Sequence, residues 1–254
     1  MITASEGIDV SDAQHPASID WARVRAEGVT WAYIKILEGT TTLDKCYAEH
    51  VRRCRASSDI LLTGYCYHHP SGTVRESALK YCELVDGLLF ELPPVLDFET
   101  LCGARPQKGN PSPDAGCDAH AKASPQAAVD SCALWLETVT AELRKPLLYW
   151  GSGLAGLLRR GGADLSALAA YDQILADYTG PLDLSPGMPE PVAHQWSNGV
   201  EPPVLTAGLR MDRNRSPLIA RDMAALGLAI EPRCVAPEIT ADRIALSDPT
   251  TRNP

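Results

Sequence analysis

Residues 93–99, Pro-Pro-Val-Leu-Asp-Phe-Glu, contain the arrangement best suited to acid–base chemistry in this chain. A short apolar run ends there in two carboxylates, Asp97 and Glu99. Side chains alternate between the two faces of a β-strand, so both carboxylates point the same way, with Cα atoms about 6.6 Å apart. Two acids this close cannot both ionise freely, and the raised pKa of one suits a proton donor at neutral pH. Carboxylates about 5–10 Å apart are the reacting groups of most glycoside hydrolases, although exposed strands also carry alternating acids.

The length and composition fit one globular domain. The chain has 254 residues, of which 45% are hydrophobic and 22% charged, and single-domain barrels often have about 200–250 residues. A net charge of −9 argues against nucleic acid or an anionic membrane as the main partner. No apolar run is long enough for a membrane span, and residues 1–7 lack the basic and apolar regions of a signal peptide. The sequence therefore predicts synthesis in the cytoplasm without membrane insertion, so that any action outside requires release or export.

Seven of the eight cysteines fall into two groups. Four lie in helical patterns and are predicted to be buried thiols: Cys46, Cys54, Cys82 and Cys132. Three are better disulfide candidates, two of them flanking a stretch rich in glycine and proline and one near the end of the chain: Cys102, Cys117 and Cys234. The sequence does not choose a pairing among them.

Short apolar runs alternate with amphipathic helices from the start of the chain to about residue 170, a pattern that predicts a parallel sheet. Strands are predicted at residues 7–11, 30–37, 60–68, 94–98 and 147–150. Helices are predicted at residues 20–27, 44–57 and 73–85, from Ser124-Pro125 onward, and as a broken stretch that ends near residue 170. Ser124 and Pro125 are typical of a helix start, because serine caps the first turn and proline fits its first position.

The remaining strands are connected differently. Strand-like runs at residues 173–178, 192–196 and 209–212 are joined by segments too rich in proline and glycine for helices. Eight strands with five intervening helices fit an irregular, TIM-like α/β barrel, (β/α)5(β)3, better than an open sheet. A terminal helix at about residues 216–226 would close it. The barrel domain is predicted to span residues 1–230, and the Pro-rich residues 231–254 to form a tail or the stub of a linker.

The barrel predicts where the chemistry lies, because active sites occupy the C-terminal ends of barrel strands. Acidic, aromatic and amide residues stand at or near such ends: Asp9, Glu38, His68, Asp97, Glu99, Tyr178, Gln195, Trp196 and Asp212. This pattern favours a sugar-cleaving site. Lys35 and Glu38 are predicted to form an ion pair near the rim, and the other four tryptophans to lie in the core: Trp21, Trp31, Trp135 and Trp150.

These motifs resemble those of the family 25 glycoside hydrolases, the muramidases (lysozymes) related to the Chalaropsis type. The resemblance begins with Gly7-Ile-Asp-Val-Ser11 and Ile19-Asp-Trp21, and it extends to about Pro217. Further matches follow in the family's order: Ile34-Lys35, Glu38-Gly39, Pro94-Val-Leu-Asp-Phe-Glu99, Leu175-Ala-Asp-Tyr178, His194-Gln-Trp196 and Met211-Asp-Arg-Asn214.

The resemblance implies a barrel of five β/α units and three further strands. It implies hydrolysis of the β-1,4 bond between N-acetylmuramic acid and N-acetylglucosamine in peptidoglycan, without a metal or organic cofactor. Glu99 matches the general acid/base, and Asp97 matches a residue that orients the substrate acetamido group or acts as the nucleophile. Asp9 and Asp212 match the family's other active-site acids. Four residues are expected to line the sugar-binding groove: Tyr67, Tyr178, Gln195 and Trp196.

Two regions depart from the family pattern. The third strand ends in Gly64-Tyr-Cys-Tyr-His-His-Pro70, where the family usually has Gly-x-Tyr-His and an aromatic residue, so the register of Tyr67 is open by one residue. The loop at residues 101–123 is longer than usual and directly follows the two carboxylates. It is expected to shape the groove, cap it or bind a partner, or else to be a floppy insert.

Other functions stay open on the sequence alone. The same barrel could serve as a non-catalytic carbohydrate-binding or inhibitory protein, or as a chitinase-like glycosidase. A muramidase without a signal peptide is expected to be a phage endolysin, released at lysis, or an effector exported by a secretion machine. Nothing in the sequence suggests a subunit interface, so a monomer is expected.

Overall fold

The computed structural model describes residues 5–70, 73–102, 122–178, 186–199 and 205–226. The strands are β1 (Ser5–Val10), β2 (Val29–Glu38), β3 (Thr42–Leu43), β4 (Leu61–Tyr67), β5 (Val95–Phe98), β6 (Leu147–Gly151), β7 (Gln173–Ala176), β8 (Ala193–Ser197), β9 (Leu205–Thr206), β10 (Leu209–Arg210) and β11 (Asp212–Ser216). The α-helices are α1 (Trp21–Ala26), α2 (Tyr47–Ser57), α3 (Val74–Val85), α4 (Pro125–Glu142), α5 (Ser152–Arg160) and α6 (Ala220–Ala225).

Eight strands close into a barrel in the order β1-β2-β4-β5-β6-β7-β8-β11, and β11 pairs back onto β1. Neighbouring strands run parallel except at β11, which is antiparallel to both β8 and β1. Helices α1 to α5 follow the first five barrel strands, and the described residues contain no helix between the last three. The predicted (β/α)5(β)3 architecture is confirmed.

The prediction for the eighth strand was wrong. Residues 209 and 210 belong to a short hairpin of β9 and β10, which turns at Ala207 and Gly208, both with positive φ. The barrel strand β11 begins only at Asp212. Its sequence, Asp-Arg-Asn-Arg-Ser, has no apolar residue, and therefore it gives no hydrophobic alternation from which a strand can be predicted. The antiparallel direction of β11 still brings Asp212 to the rim where the parallel strands end.

The apolar side chains form two layers, one between the barrel and its helices and one inside the barrel. Trp21, Trp135 and Trp150 belong to the outer layer and Trp31 to the inner one, and all four are buried as predicted. On β1, a Cβ atom at Gly7 would lie 2.2 Å from the Trp31 ring, so only glycine fits there. Met223 of α6 also packs in the inner layer, which confirms a terminal helix that closes the barrel.

Local signals in the sequence set where the helices begin. The Asp20 side chain caps α1 by accepting a hydrogen bond from the Arg23 N–H (3.0 Å), and Ser124 caps α4 through the Ala127 N–H (3.2 Å). The predicted helix at 44–57 begins later, at Tyr47, because the Asp44 carboxylate accepts the N–H groups of Cys46 and Asp12, each at 2.8 Å. These bonds hold a turn at the site of the first predicted helical residue.

The six described cysteines fall into two groups. Five are free thiols: Cys46, Cys54, Cys66, Cys82 and Cys132, with Cys46 half-buried and the others buried. Cys102 is disulfide-bonded, and the other two candidates, Cys117 and Cys234, lie outside the described residues, as do most of the 101–123 loop and the tail predicted at 231–254. Among the described helices, none has the length and apolar character needed to cross a membrane.

Candidate active site

A cleft of about 320 Å³ opens at the carboxyl ends of the parallel strands. Polar and aromatic side chains reach it from around the barrel: Asp9, Tyr33, Lys35, Tyr65, Tyr67, Val95, Asp97, Glu99, Tyr149, Tyr178, Gln195 and Asp212. Asp97 on β5 and Glu99, one residue past the end of β5, reach the cleft together, because alternate side chains of an extended chain share a face. Asp9 and Asp212 face each other in the antiparallel pair of β1 and β11.

Asp97 and Glu99 differ in their surroundings. Asp97 is buried on β5, and its Oδ1 atom has no hydrogen-bond partner among the described residues. Burial raises the pKa of Asp97 well above its usual range, and the charges of Glu99, Asp9 and Asp212 raise it further. Glu99 follows the strand and is partly open to the cleft. Burial and the charge of Asp9 raise the pKa of Glu99 to about 7, against the opposing effect of the nearby Tyr149 hydroxyl.

A hydrogen-bond network surrounds Asp9. Its Oδ2 atom accepts from Gln195 Nε2 at 3.0 Å and from Asn214 Nδ2 at 2.9 Å, and its carboxyl group also hydrogen-bonds with Asp212. The Gln195 Oε1 atom accepts the hydroxyls of Tyr149 and Tyr178, each at 2.5 Å. Burial and the Asp9 charge raise the pKa of Asp212 well above its usual range. The cleft therefore holds four carboxyl groups that cannot all be ionised at neutral pH.

Lys35 is the one cation among the described residues that line the cleft. Its Nζ atom lies 2.6 Å from Glu38 Oε2 and 5.0 Å from the centre of the Tyr67 ring. Glu38 Oε1 also lies 3.4 Å from Nε2 of His69. The predicted ion pair at the rim is confirmed, and its two side chains are almost fully buried.

The structure brings seven of the eight predicted site residues into the cleft: Asp9, Tyr67, Asp97, Glu99, Tyr178, Gln195 and Asp212. Trp196 does not line it, which corrects the prediction of a groove residue. Trp196 follows Gln195 on β8, and consecutive side chains of a strand point to opposite faces. Its ring instead lies 5.8 Å from the guanidinium carbon of Arg215, the neighbour on the outer face of β11.

The histidines near the strand ends do not line the cleft either. His68 is buried, with Nε2 2.9 Å from Ser131 Oγ on α4, and burial lowers its pKa to about 3. His194 Nε2 lies 2.7 Å from the backbone oxygen of Asp177. Both therefore take part in hydrogen bonds within the fold.

Sequence reasoning did not assign site roles to several residues that the structure places at the cleft: Tyr33, Tyr65, Tyr149 and Asn214. A signal for two of them was present. Tyr33-x-Lys35 and Tyr65-x-Tyr67 repeat the two-residue spacing of Asp97-x-Glu99 on neighbouring strands. Asn214 stands two residues after Asp212 in the Met211-Asp-Arg-Asn214 motif, but the strand predicted at residues 209–212 ended before it.

Comparisons with known proteins agree with the barrel fold. The structure resembles the lysozyme of Streptomyces coelicolor, with 21% identity, a TM-score of 0.70 and coverage of 89% of this chain and 98% of that one. It also resembles a family 25 glycosyl hydrolase from Bacillus anthracis (18%, 0.68, 89% and 94%) and a muramidase from Acremonium alcalophilum (21%, 0.68, 88% and 98%). No curated protein matches the chain. The sequence model of glycosyl hydrolases family 25 matches residues 8–201, and the chain therefore belongs to that family.

Proposed function

We propose that this glycoside hydrolase is an N-acetylmuramidase, a lysozyme that cleaves the β-1,4 bond between N-acetylmuramic acid and N-acetylglucosamine in peptidoglycan. The observation that carries the proposal is Glu99, an acid with a pKa near 7 beside a second buried carboxyl, Asp97, in the cleft of a family 25 barrel. The similar structures from Streptomyces coelicolor and Acremonium alcalophilum are a lysozyme and a muramidase, which supports the same substrate here.

Glu99 is proposed to act first as the acid and then as the base. A carboxyl group with a pKa of about 7 is half protonated at neutral pH, so it can give its proton to the oxygen of the leaving sugar. The carboxylate left behind can then accept a proton from the water that completes hydrolysis. Proton transfer by a placed side chain contributes about 10²–10⁴-fold to the rate of such reactions.

Asp97 is proposed to act on the sugar that becomes positively charged. Its buried Oδ1 atom lacks a donor among the described residues, and the N–H of a substrate acetamido group would supply one. That bond would favour the ionised form of Asp97 and would hold the acetamido oxygen toward the anomeric carbon. Direct attack by Asp97 on that carbon is the alternative, and both routes retain the anomeric configuration. A negative cleft also favours the oxocarbenium-like transition state.

Tyrosines give the cleft its affinity for sugar rings. Tyr67 and Tyr178 border the acids, and tyrosine offers a flat apolar face together with a polar edge. We propose that the glycan strand lies across these rings and is held at its acetamido group by Asp97. On this proposal the protein acts on the cell wall as a monomer. It reaches the wall either as an endolysin released at lysis or as an exported effector.

Mass spectrometry of the fragments released from purified peptidoglycan tests the proposal. The wild type is compared with Glu99→Gln and with Glu83→Gln, a control on α3 whose side chain is 72% exposed. Soluble disaccharide–peptides ending in reducing N-acetylmuramic acid are expected from the wild type and the control, and not from Glu99→Gln. Full activity of a folded Glu99→Gln would contradict the role of Glu99.

The identity of the released ends separates the alternatives. Fragments with reducing N-acetylglucosamine would move cleavage to the other glycosidic bond and refute muramidase activity. Cleavage of chitin oligomers at least as fast as peptidoglycan would point to a chitinase-like enzyme. Trapping of a glycosyl group on Asp97 would identify it as the nucleophile, whereas tight binding of a thiazoline analogue, lost in Asp97→Asn, would support the acetamido route.

A further inference from the structure

The acid pair of Asp9 and Asp212 shares a proton, and the two acids have different neighbours. The residues lie directly opposite each other on β1 and β11, and their carboxyl groups hydrogen-bond to each other. An ionised carboxylate only accepts hydrogen bonds, so one of the two acids must carry a proton. The surrounding donors decide which acid it is.

Asp9 is supplied with donors and Asp212 is not. Two amide N–H groups, from Gln195 and Asn214, converge on Asp9 Oδ2 at 3.0 and 2.9 Å. Burial raises the pKa of Asp9, and these bonds oppose that effect by favouring the ionised form of the carboxyl group. Asp212 receives no hydrogen bond from a side-chain amide or a cation among the described residues. The proton therefore belongs on Asp212, which donates it to Asp9.

The orientation of the Gln195 amide is determined by its other neighbours. Its Oε1 atom lies 2.5 Å from the hydroxyls of both Tyr149 and Tyr178, which donate to it. A reversed amide would place an oxygen against the Asp9 carboxylate and would leave two hydroxyls without their acceptor. Asn214 is fully buried, and a reversal there would likewise set oxygen against oxygen.

We propose that Asp9 is the resident anion of the cleft and Asp212 its neutral, protonated partner, with Gln195 and Asn214 as the positioning residues that impose this assignment. The consequence for catalysis rests on the proposed function, because the charge of Asp9 acts on Glu99. Burial contributes most to the raised pKa of Glu99, and the charge of Asp9 is the next largest contribution. An anion fixed at Asp9 therefore keeps the proton on the general acid until substrate arrives.

Other groups also face Glu99 and act in the same experiment. They come from β2, β4, β5, β6 and β11 and from the end of β7: Lys35 with its partner Glu38, Tyr67, Asp97, Tyr149, Asp212 and Tyr178. An exchange at Asp9 leaves all of these groups in place, and an exchange at Asp212 removes only Asp212 itself. A shift in the titration of Glu99 between the two variants can therefore be assigned to the pair.

Two exchanges of equal size test the assignment. In Asp212→Asn, an amide N–H replaces the donated O–H and the charge stays on Asp9. In Asp9→Asn, the amide oxygen accepts from Gln195 and Asn214, its NH2 group faces Asp212, and the charge moves there. We expect kcat/KM on peptidoglycan to fall less than about tenfold in Asp212→Asn and more than about 100-fold in Asp9→Asn. The alkaline limb of the pH–rate profile should move to lower pH only in Asp9→Asn.

Carbon-13 NMR titration of the aspartate carboxyl groups in the wild type gives a readout that needs neither activity nor a variant. Asp9 is expected to lose its proton at a lower pH than Asp212, because the two amide N–H groups favour its ionised form. The reverse titration order, or equal losses in two folded variants, would overturn the assignment. If the wild type cleaves no peptidoglycan, the proposed function fails, and the titration still decides which acid holds the proton.

Discussion

The proton on Glu99 is controlled by a few neighbours with opposing effects. Burial and the charge of Asp9 favour the protonated acid, whereas the nearby hydroxyl of Tyr149 favours the carboxylate. Tyr149 donates its one hydroxyl proton to Gln195, which binds Asp9. One tyrosine hydroxyl therefore connects the general acid to the pair that holds the resident charge.

The pH dependence of activity is the first prediction at this scale. Because Glu99 must be protonated to act as the acid and its pKa is about 7, kcat/KM should fall as the pH rises through about 7. At pH values above this pKa, kcat/KM should fall about tenfold per pH unit. Rates on solubilised glycan fragments between pH 4 and 9 check this. A profile that is flat from pH 6 to 9 would rule Glu99 out as the proton donor.

Tyr149→Phe should move this limb in the opposite direction from Asp9→Asn. Loss of the hydroxyl removes a neighbouring polar group that lowers the pKa of Glu99, so the alkaline limb should shift to higher pH. Gln195 keeps the hydroxyl of Tyr178 as a donor, so the network around Asp9 is retained. Tyr47→Phe, on α2 and outside the cleft, is the matched control. An unchanged limb in Tyr149→Phe would show that this hydroxyl does not act on Glu99.

Residue types and spacing were enough to predict the acids of the site, but they were less informative about the residues that surround these acids. Asp97 and Glu99 follow an apolar run at strand spacing, which is a local signal. The contact of Asn214 with Asp9 joins residues 205 positions apart, and it depends on the antiparallel return of β11. Sequence spacing contains no information about such a contact unless both strands are recognised.

At the scale of the elements, the strands that face apolar residues on both sides were predicted well. Strands β2, β4, β5 and β6 are rich in β-branched or aromatic residues and are flanked by helices, so hydrophobicity marks them clearly. Strand β11 closes the barrel with Asn214 and Ser216 turned inward. Polar side chains can be buried there because the Ser216 Oγ bonds the Val192 oxygen at 2.6 Å and Asn214 bonds Asp9.

Strand β1 gives a prediction about packing. A methyl group at Gly7 would lie 2.2 Å from ring atoms of Trp31, which fills the interior of the barrel below the acids. Gly7→Ala should therefore lower the free energy of unfolding by at least about 2 kcal/mol, as overpacked cores do. Gly151→Ala, where nothing lies within 4 Å of the new Cβ, is the control. Chemical denaturation measures both, and equal stabilities would show that β1 and Trp31 can separate without cost.

At the scale of the whole molecule, the buried acids should make the fold less stable at high pH. The pKa of Glu99 rises from 4.5 to about 7 on folding, so the native state binds more protons than the unfolded state between these values. Stability then falls as the pH rises through this window. Below about pH 4.5 both states are protonated and the cost disappears. The shifts of Asp97 and Asp212 have the same sign.

The cost of the catalytic acid can be measured by removing its charge. Glu99→Gln keeps the shape of the side chain and cannot ionise, so it should be more stable than the wild type at pH 8, by at most about 3 kcal/mol for the shift in pKa. At pH 4 the two proteins should unfold at nearly the same temperature. Glu83→Gln, exposed on α3, should show no such difference between the two pH values. Equal stability of Glu99→Gln and the wild type at pH 8 would mean that the Glu99 carboxylate is solvated in the folded cleft. The carboxyl group of Glu99 lowers stability when it is ionised and donates its proton to the glycan when it is protonated. A gain in stability together with a loss of activity in Glu99→Gln would therefore link the cost in stability to catalysis.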